Sequence, residues 1–262
     1  MQKDVKGCER VINMVILKLP DEIDKMRVSN QIVAEILSML KERVKPGITT
    51  AELDRVSEEL ARKKGAKPAF KGYKGYPFSL CISVNSEVVH GMPSNRVLIG
   101  GDIVSLDYGV YYKGYYGDAA VTVPVGPVSE EAKKLIRTTE QGLYHGIEKA
   151  RAGNRLGDIS AAIQDFVENA GFSVVRDFVG HGIGKNLHEE PQIPNFGMKG
   201  RGIELRSGMV LAIEPMVNEG SYKVRVLDNG WTVVTQDGKL SAHFEHSVAI
   251  TKNGPDILSM VH

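Results

Sequence analysis

Cysteine is scarce in this sequence, and the two signs of charge nearly cancel. Only two of the 262 residues are cysteines, Cys8 and Cys81, which excludes a disulfide framework and is typical of a reducing compartment. The net charge of +1 excludes wholesale electrostatic binding to DNA or to a membrane surface, although it leaves room for a local basic patch. With 42% hydrophobic residues, the chain is long enough to bury a sizeable core.

Long apolar runs are also lacking. The stretch VINMVILKL, residues 11–19, follows three basic residues as a secretion signal would, but it contains Asn13 and Lys18 and has no small-residue cleavage site after it. We therefore interpret it as a leading strand. No other segment approaches the roughly 20 apolar residues of a membrane span, so we expect a cytoplasmic protein with no membrane contact.

Helix and strand patterns alternate along the chain. A helix is predicted over 21–44, and a Thr49-x-x-Glu52 capping box opens a second helix that ends at Gly65. Two later helices are predicted over about 129–150 and 157–170. Strands are predicted around residues 80–90, 102–112, 115–125, 172–180, 209–218, 223–227, 231–235 and 243–251.

This order of helices and strands occurs twice, and the two copies align. PGITTAELDRVSEELARKKGA, which starts at residue 46, aligns on AGNRLGDISAAIQDFVENAGF, which starts at residue 152. We infer an α+β fold of two halves, about residues 21–126 and 129–254, related by an approximate two-fold axis.

The alignment also pairs carboxylates with carboxylates. DIVSLD aligns on MVLAIE, which places Asp107 on Glu214, and DAAVTV aligns on EHSVAI, which places Asp118 on Glu245. Chance is a poor explanation for two such matches. The two-fold axis therefore predicts four carboxylates that converge on a shared site.

The stretch DYGVYYKGYYGD begins and ends with two of these carboxylates. Lys113-Gly114 is a natural two-residue hairpin turn, which would set Asp107 opposite Ala120 and make Asp107 and Asp118 diagonal neighbours, roughly 7–8 Å apart at the backbone. Like charges so placed repel, and a hard metal ion bound between the carboxylates would offset this repulsion. Taken alone, the stretch fits two solvated aspartates equally well.

Four partly buried carboxylates need a compensating positive charge. One divalent ion offsets about half of it, and two ions, bridged by carboxylates at roughly 3.5–4 Å, offset all of it. Of the histidines, His181 in VGHGIG has glycine on both sides and is favoured as a ligand. For His90 in VVHGMP and His188 in LHEEP, the local sequence leaves a structural and a functional role equally open.

The remaining histidines give weaker signals. His243 and His246 flank Glu245 and are expected beside the ligands, whereas His145 and His262 are assigned no role. A basic stretch, RKKGAKPAFKGYKGYP, carries six basic residues within 62–74 and no acid. It fits a docking face, although a solvated surface is the favoured interpretation.

Several segments together resemble bacterial type I methionine aminopeptidase. They are GYKGYPFSLCISVNSEVVHGMP, DIVSLDYGVYYKGYYGDAA, GHGIGKNLHEEP, LAIEPMVN and NGWTVVTQDGKLSAHFEH. The likeness extends from residue 14 onward, and it implies the pita-bread fold, with pseudo-two-fold halves around a dinuclear metal site. Residues 1–13 then form an N-terminal extension to a single catalytic domain, residues 14–262.

The resemblance also implies roles for individual residues. The implied metal ligands are Asp107, Asp118, His181, Glu214 and Glu245. Glu214 would also shuttle a proton, His188 would stabilise the carbonyl oxygen, and His90 would contact the scissile amide. The methionine pocket would be formed by Tyr73, Tyr76, Cys81 and Trp231, with His90 and His188 also binding substrate. Two departures affect the pocket: Leu187 replaces a common phenylalanine, and Phe70 replaces a common cysteine.

The implied activity is removal of the first methionine from nascent polypeptides whose second residue is small. Two divalent ions, of cobalt, manganese, iron or zinc, would serve as cofactors. The expected protein is a monomer that contacts nascent chains and the ribosome, but not DNA.

Three alternatives are weaker. Prolidases and aminopeptidase P usually carry an extra N-terminal domain, for which the first helix near residue 21 leaves no room. Type II methionine aminopeptidases carry a late insertion, whereas only 31 residues separate Glu214 from Glu245. A non-enzymatic binding module would be expected to have lost ligands, and all five are present.

Overall fold

The computed structural model describes residues 15–261, and both Cys8 and the predicted extension at 1–13 lie outside these described residues. The four α-helices are α1 (Pro20–Lys41), α2 (Thr50–Lys63), α3 (Glu130–Lys149) and α4 (Leu156–Asn169). The strands of the first half are β1 (Lys67–Pro68), β2 (Cys81–Val84), β3 (Glu87–Val89), β4 (Ile103–Tyr112) and β5 (Tyr115–Pro124). Those of the second are β6 (Ser173–Val174), β7 (Val179–Gly182), β8 (Glu189–Pro194), β9 (Val210–Ile213), β10 (Met216–Asn218), β11 (Val224–Val226), β12 (Val233–Thr235), β13 (Ser241–His243), β14 (Glu245–Thr251) and β15 (Gly254–Ile257).

A large antiparallel sheet runs through both halves. Its central strands follow the order β2, β4, β5, β14, β9, β7, so each half contributes a hairpin-like pair flanked by a further strand. At the middle, Ala119 of β5 pairs with His246 of β14. These two residues are equivalent under the same shift that aligns Asp118 with Glu245. The pseudo-two-fold axis therefore passes between β5 and β14, which confirms the predicted relation of the halves.

Each half has its own apolar core beneath a helix pair. One cluster joins Leu37 of α1 and Leu53 of α2 to Leu106 of β4, and the other joins Leu143 of α3 to Leu211 of β9. The equivalent helices α2 and α4 have equal lengths of 14 residues. The predicted α+β class, with helices covering antiparallel strands, is confirmed.

The predicted hairpin forms with the predicted register. Asp107 pairs with Ala120 across β4 and β5. The turn residues Lys113 and Gly114 have positive φ angles of 46° and 96°. Two positive φ angles are what a two-residue turn needs to match the right-handed twist of its strands. The capping box of α2 also forms, since the Thr49 side chain accepts from the Glu52 backbone and Glu52 accepts from Thr49.

The predicted leading strand over 11–19 is wrong where the structure describes it. Residues 15–19 form no strand before α1 begins at Pro20, although the Lys18 N–H donates to the carbonyl of Gly208 at 2.7 Å. One backbone hydrogen bond does not make a ladder, and the apolar side chains of Ile16 and Leu17 are half exposed. Residues 11–14 lie outside the described residues.

Three short strands, β1, β8 and β15, were not predicted. They are short and proline-containing, so they lack the alternating apolar pattern by which strands are recognised. Within residues 15–261, no helix is long and apolar enough to cross a membrane.

Candidate metal centre and substrate cavity

One cavity gathers every residue for which the sequence predicted a metal-binding, catalytic or substrate-binding role. Its lining combines an acidic floor, three imidazoles and an apolar wall. It adds three further residues: two were expected at the pocket as departures from the family pattern, and Lys74 had no predicted role. The predicted ones are Tyr73, Tyr76, Cys81, His90, Asp107, Asp118, His181, His188, Glu214, Trp231 and Glu245, and the additional ones are Phe70, Lys74 and Leu187.

The acidic floor follows from strand register. Cys81 pairs with Asp107, Asp107 with Ala120, and Ala120 with Glu245, so these residues form one row across β2, β4, β5 and β14. Side chains in one row point to the same face of a sheet. The small side chain of Ala120 leaves open space between the two carboxylates of the row.

The other two carboxylates lie beside this row. Asp118 is two positions from Ala120 on β5, and therefore points to the same face. Glu214 directly follows Ile213, which pairs with His246, so it lies next to Glu245 across the strands.

His181 projects from β7, where glycines permit close strand packing. A Cβ on Gly180 would lie 2.3 Å from the carbonyl oxygen of Ala212, and one on Gly182 would lie 2.3 Å from that of Glu190. His181 Nδ1 is 2.9 Å from the Gly182 carbonyl oxygen. A carbonyl can only accept, so Nδ1 carries the hydrogen and Nε2 presents a lone pair to the cavity.

Three of the five predicted ligands form a compact group. Ligand atoms of Asp118, His181 and Glu245 lie within 4.8 Å of one another, and all three residues are buried. Asp107 and Glu214 line the same cavity outside this group. Glu214 Oε1 lies 3.6 Å from His181 Nε2.

The electrostatics of the floor call for a cation. Burial raises the pKa of Asp107, Asp118, Glu214 and Glu245 above their usual range, and for all except Glu214 neighbouring carboxylates raise it further. One oxygen each of Asp107, Asp118 and Glu245 is buried without a hydrogen-bond partner among residues 15–261. Unpartnered carboxylate oxygens beside an imidazole lone pair are the donor set of a divalent metal ion, so the residues present fit one.

Both halves of the molecule hold the backbone of Asp118. Its N–H donates to Asn30 Oδ1 of α1 at 3.2 Å, and its carbonyl accepts from the Ser247 hydroxyl of β14 at 2.9 Å. Asn30 is itself fully buried and donates to the Met26 carbonyl. Asp118 is therefore fixed in place by contacts from outside its own hairpin.

Two further imidazoles lie above the floor. The Tyr73 hydroxyl is 2.9 Å from His188 Nδ1, the rings of Tyr73 and His188 stack at 5.2 Å, and the His188 ring lies 4.2 Å from that of His181. His90 contacts Trp231 edge to face. Burial lowers the pKa of His90 to about 4, and it also lowers the pKa of His188, so both rings are neutral at pH 7.

The end of the cavity beyond the acidic floor is apolar. Tyr76 and Trp231 contact edge to face at 5.1 Å, and Cys81, Phe70 and Leu187 belong to the same apolar cluster. Burial holds the pKa of the Cys81 thiol well above its usual range, so the thiol stays neutral and acts as a small apolar group. Leu187 and Phe70, the two departures from the family pattern, both lie on this wall.

Two features in and around the cavity were not resolved from the sequence. Lys74 lines it, but in the sequence it is one of six similar basic residues and carries no distinguishing signal. His243 and His246 were not distinguished, and the structure separates them. His243 Nε2 lies 3.6 Å from Glu214 Oε2, whereas His246 bonds Ser259 behind the sheet.

Comparison with known proteins identifies a family and close relatives. The model of metallopeptidase family M24 matches residues 24–252. A methionine aminopeptidase of Clostridium perfringens is 61% identical over 248 residues, which cover 95% of this chain and all of that relative. The crystal structure of a methionine aminopeptidase from Thermotoga maritima superposes with a TM-score of 0.93 at 50% identity, over 94% of this chain and all of that one.

A prolidase from Pyrococcus horikoshii shares the fold alone. It is 24% identical with a TM-score of 0.77, and the match covers 95% of this chain but only 65% of that one. The pita-bread fold predicted from the sequence is confirmed by these superpositions.

Proposed function

The chain belongs to metallopeptidase family M24, and from this premise we propose that its cavity removes the N-terminal methionine of polypeptides by metal-dependent hydrolysis. Near-complete coverage of methionine aminopeptidases at up to 61% identity supports this activity. The protein is an aminopeptidase and a hydrolase. The observation that carries the assignment is that an apolar pocket shares a single cavity with four carboxylates, of which Asp118 and Glu245 are buried and Asp107 and Glu214 are partly buried.

Two divalent ions are the proposed cofactor. One would be held by Asp118, His181, Glu214 and Glu245, and the other by Asp107 together with Asp118 and Glu245 as shared ligands. Four carboxylates balance two divalent charges, which favours two ions over one. Bound divalent ions supply Lewis acidity and allow water to serve as a nucleophile at neutral pH. The donor set accepts manganese, iron, cobalt or zinc.

The protein's own side chains would then manage protons and developing charge. Glu214 takes the proton released by the attacking water and returns it to the leaving amine. The Tyr73 hydroxyl can donate to His188 Nδ1, which leaves the hydrogen on Nε2 to be donated to the substrate carbonyl oxygen as charge develops. His90, neutral and beside Trp231, would contact the scissile amide.

The apolar wall would bind the methionine side chain. Tyr76 and Trp231 offer ring edges to a thioether sulfur, and Cys81 closes the slot next to Asp107. A charged side chain would lose its hydration there without gaining a partner. The next residue of the substrate would lie close to the acidic floor, so we propose that small second residues are preferred.

The proposed partners are nascent chains and the ribosome. Nascent N-termini would be the natural substrates, and the basic stretch 62–74 would face the ribosome. Within that stretch Lys63 and Lys67 are exposed, whereas Lys64 and Lys71 pair with Glu35 and Glu58. We further propose a monomer, because the predicted metal-binding, catalytic and substrate-binding residues all line one cavity and the site needs no residue from a second copy. The low cysteine content favours the cytoplasm, a reducing compartment.

A peptide series tests the proposed specificity. Peptides X-Gly-Met-Met, in which X is methionine, norleucine, leucine, lysine or proline, should be cleaved fastest with methionine and less well with norleucine, which has the same length and flexibility. Leucine should be a poor substrate, and lysine should show no measurable turnover. Comparable rates for methionine and lysine would contradict the methionine pocket.

A further inference from the structure

His243 is a buried imidazole with an unused nitrogen. It ends β13 and is only 1% exposed, and its Nε2 has no hydrogen-bond partner among residues 15–261. The backbone on both sides of the ring is fixed by Thr122, which accepts from the His243 N–H at 2.9 Å and donates to its carbonyl at 2.8 Å. A histidine with only a packing role would be expected to satisfy both ring nitrogens.

The unused nitrogen faces the carboxylate of Glu214. His243 Nε2 lies 3.6 Å from Glu214 Oε2, while His181 Nε2 lies 3.6 Å from Oε1 on the other side. The carboxylate is therefore bracketed by two imidazoles. The two imidazoles differ in hydrogen bonding. His181 Nδ1 already donates to the Gly182 carbonyl, so its Nε2 presents only a lone pair, whereas His243 Nε2 can carry a hydrogen.

The two oxygens of the Glu214 carboxylate therefore require different partners. On the Oε1 side, a carboxylate oxygen faces an imidazole lone pair, and a metal ion between them would bind both. On the Oε2 side, the oxygen needs a donor, and a ring N–H can supply one. Outer hydrogen bonds of this kind orient metal ligands and tune their basicity.

We propose that His243 is a positioning residue for Glu214: its Nε2–H donates to Oε2 and turns Oε1 toward the ion shared with His181. The proposal requires the two atoms, 3.6 Å apart in the structure, to close to hydrogen-bond distance. His243 acts through Glu214 and does not itself bind metal, because an Nε2 that carries a hydrogen has no lone pair to offer an ion. The inference rests on the proposed function, because it assumes that Glu214 is a metal ligand.

The test compares two substitutions in the full chain, prepared free of metal. His243→Gln keeps a side-chain donor, whereas His243→Leu keeps the volume and removes the donor. Calorimetric titration with Mn²⁺ should show that His243→Leu weakens the tighter binding event by about 10–100-fold, with His243→Gln within a few-fold of the wild type. Equal Mn²⁺ affinity in all three proteins would overturn the proposal, as would equal losses in both variants.

A second measurement needs no variant, and it decides the question if His243→Leu fails to fold. Long-range ¹H–¹⁵N spectra of the metal-free wild type report which ring nitrogen of His243 carries the hydrogen. The proposal requires Nε2–H, and a ring protonated only at Nδ1 would overturn it. A wild type that neither binds Mn²⁺ nor cleaves methionyl peptides would instead contradict the proposed function, so the two failures are distinguishable.

Discussion

At the scale of single residues, the centre depends on side chains that share one face of a sheet. Asp107 and Glu245 lie in one cross-strand row with Ala120 between them, and Asp118 lies two positions further along β5. Their convergence was predictable, because hairpin turn chemistry sets register and register sets the face. The duplicated sequence extended that prediction to Glu214.

Other residue-scale features were not assigned from the sequence. His243 lies two positions before Glu245 and His246 lies one position after it, so the alternation of side chains along a strand would place only His243 on the face of Glu245. The structure has this arrangement, with His243 beside Glu214 and His246 beside Ser259. Lys74 had no such signal, because it reaches the cavity through a short 3-10 helix, Tyr73–Gly75, that no periodic pattern predicts.

His188→Ala should lower kcat by about 10²–10³-fold with a much smaller change in KM. The proposed hydrogen bond from Nε2 strengthens as negative charge forms on the carbonyl oxygen, so its loss affects the transition state more than the bound substrate. Steady-state kinetics with Met-Gly-Met-Met measure both constants. The matched control is His145→Ala, which removes a ring that packs on Phe166 outside the cavity and should leave both constants unchanged. A change in KM alone would make His188 a substrate-binding residue only.

Leu187→Phe should sharpen the preference for methionine over leucine. Leu187 is 2% exposed on the apolar wall, and a larger ring there would narrow the slot against branched side chains. Differences of this size in an apolar pocket change specificity by roughly 10–200-fold at most. The ratio of kcat/KM for Met-Gly-Met-Met and Leu-Gly-Met-Met measures the effect, with Leu17→Phe on the exposed N-terminal segment as control. An unchanged ratio would place Leu187 away from the bound side chain.

At the scale of elements, the segment before α1 holds the loop that carries His188. Lys18 Nζ donates to Glu189 Oε2 at 2.6 Å, and both side chains are only 4% exposed. Glu22, in the first turn of α1, pairs with Lys185 at 3.0 Å at the other end of the same loop. Over residues 15–19 the predicted strand was wrong, because this segment contributes a buried lysine to a distant loop in place of a ladder, and no local pattern encodes such a contact.

Lys18→Met should destabilise the protein by about 3–5 kcal/mol, because it leaves the buried carboxylate of Glu189 without its partner. It should also lower kcat, since Glu189 directly follows His188. Denaturant unfolding and steady-state kinetics measure the two effects. Lys25→Met is the matched control, because its pair with Asp21 on α1 is exposed and should contribute less than about 1 kcal/mol. Equal losses for the two variants would show that burial of the Lys18 pair has no special weight.

At the scale of the whole molecule, two similar halves meet at one site. The pairing of Ala119 with His246 sets the pseudo-two-fold axis between β5 and β14, and each half supplies two of the four carboxylates beside it. Helix pairs and apolar cores lie on either side of the axis. The architecture was predictable from the duplication, whereas the short strands β8 and β15 were not, because their proline-containing sequences lack an alternating apolar pattern.

Deletion of residues 1–13 should leave kcat/KM for short methionyl peptides nearly unchanged. Every described residue that lines the cavity lies at position 70 or later, so we expect the extension to have no catalytic part. Kinetics of the shortened and full chains with Met-Gly-Met-Met check this. A large loss of activity in the shortened chain would show that the extension completes the site.

Metal dependence is the most direct test of the central claim that the four carboxylates of the cavity and His181 form a hydrolytic metal centre. The measurement is turnover of Met-Gly-Met-Met by the full chain, stripped of metal by chelation and then titrated with Mn²⁺ while bound metal is counted. We predict no turnover in the stripped protein, activity that rises with bound metal, and saturation at two ions per chain. Full turnover in a rigorously metal-free sample would contradict the claim.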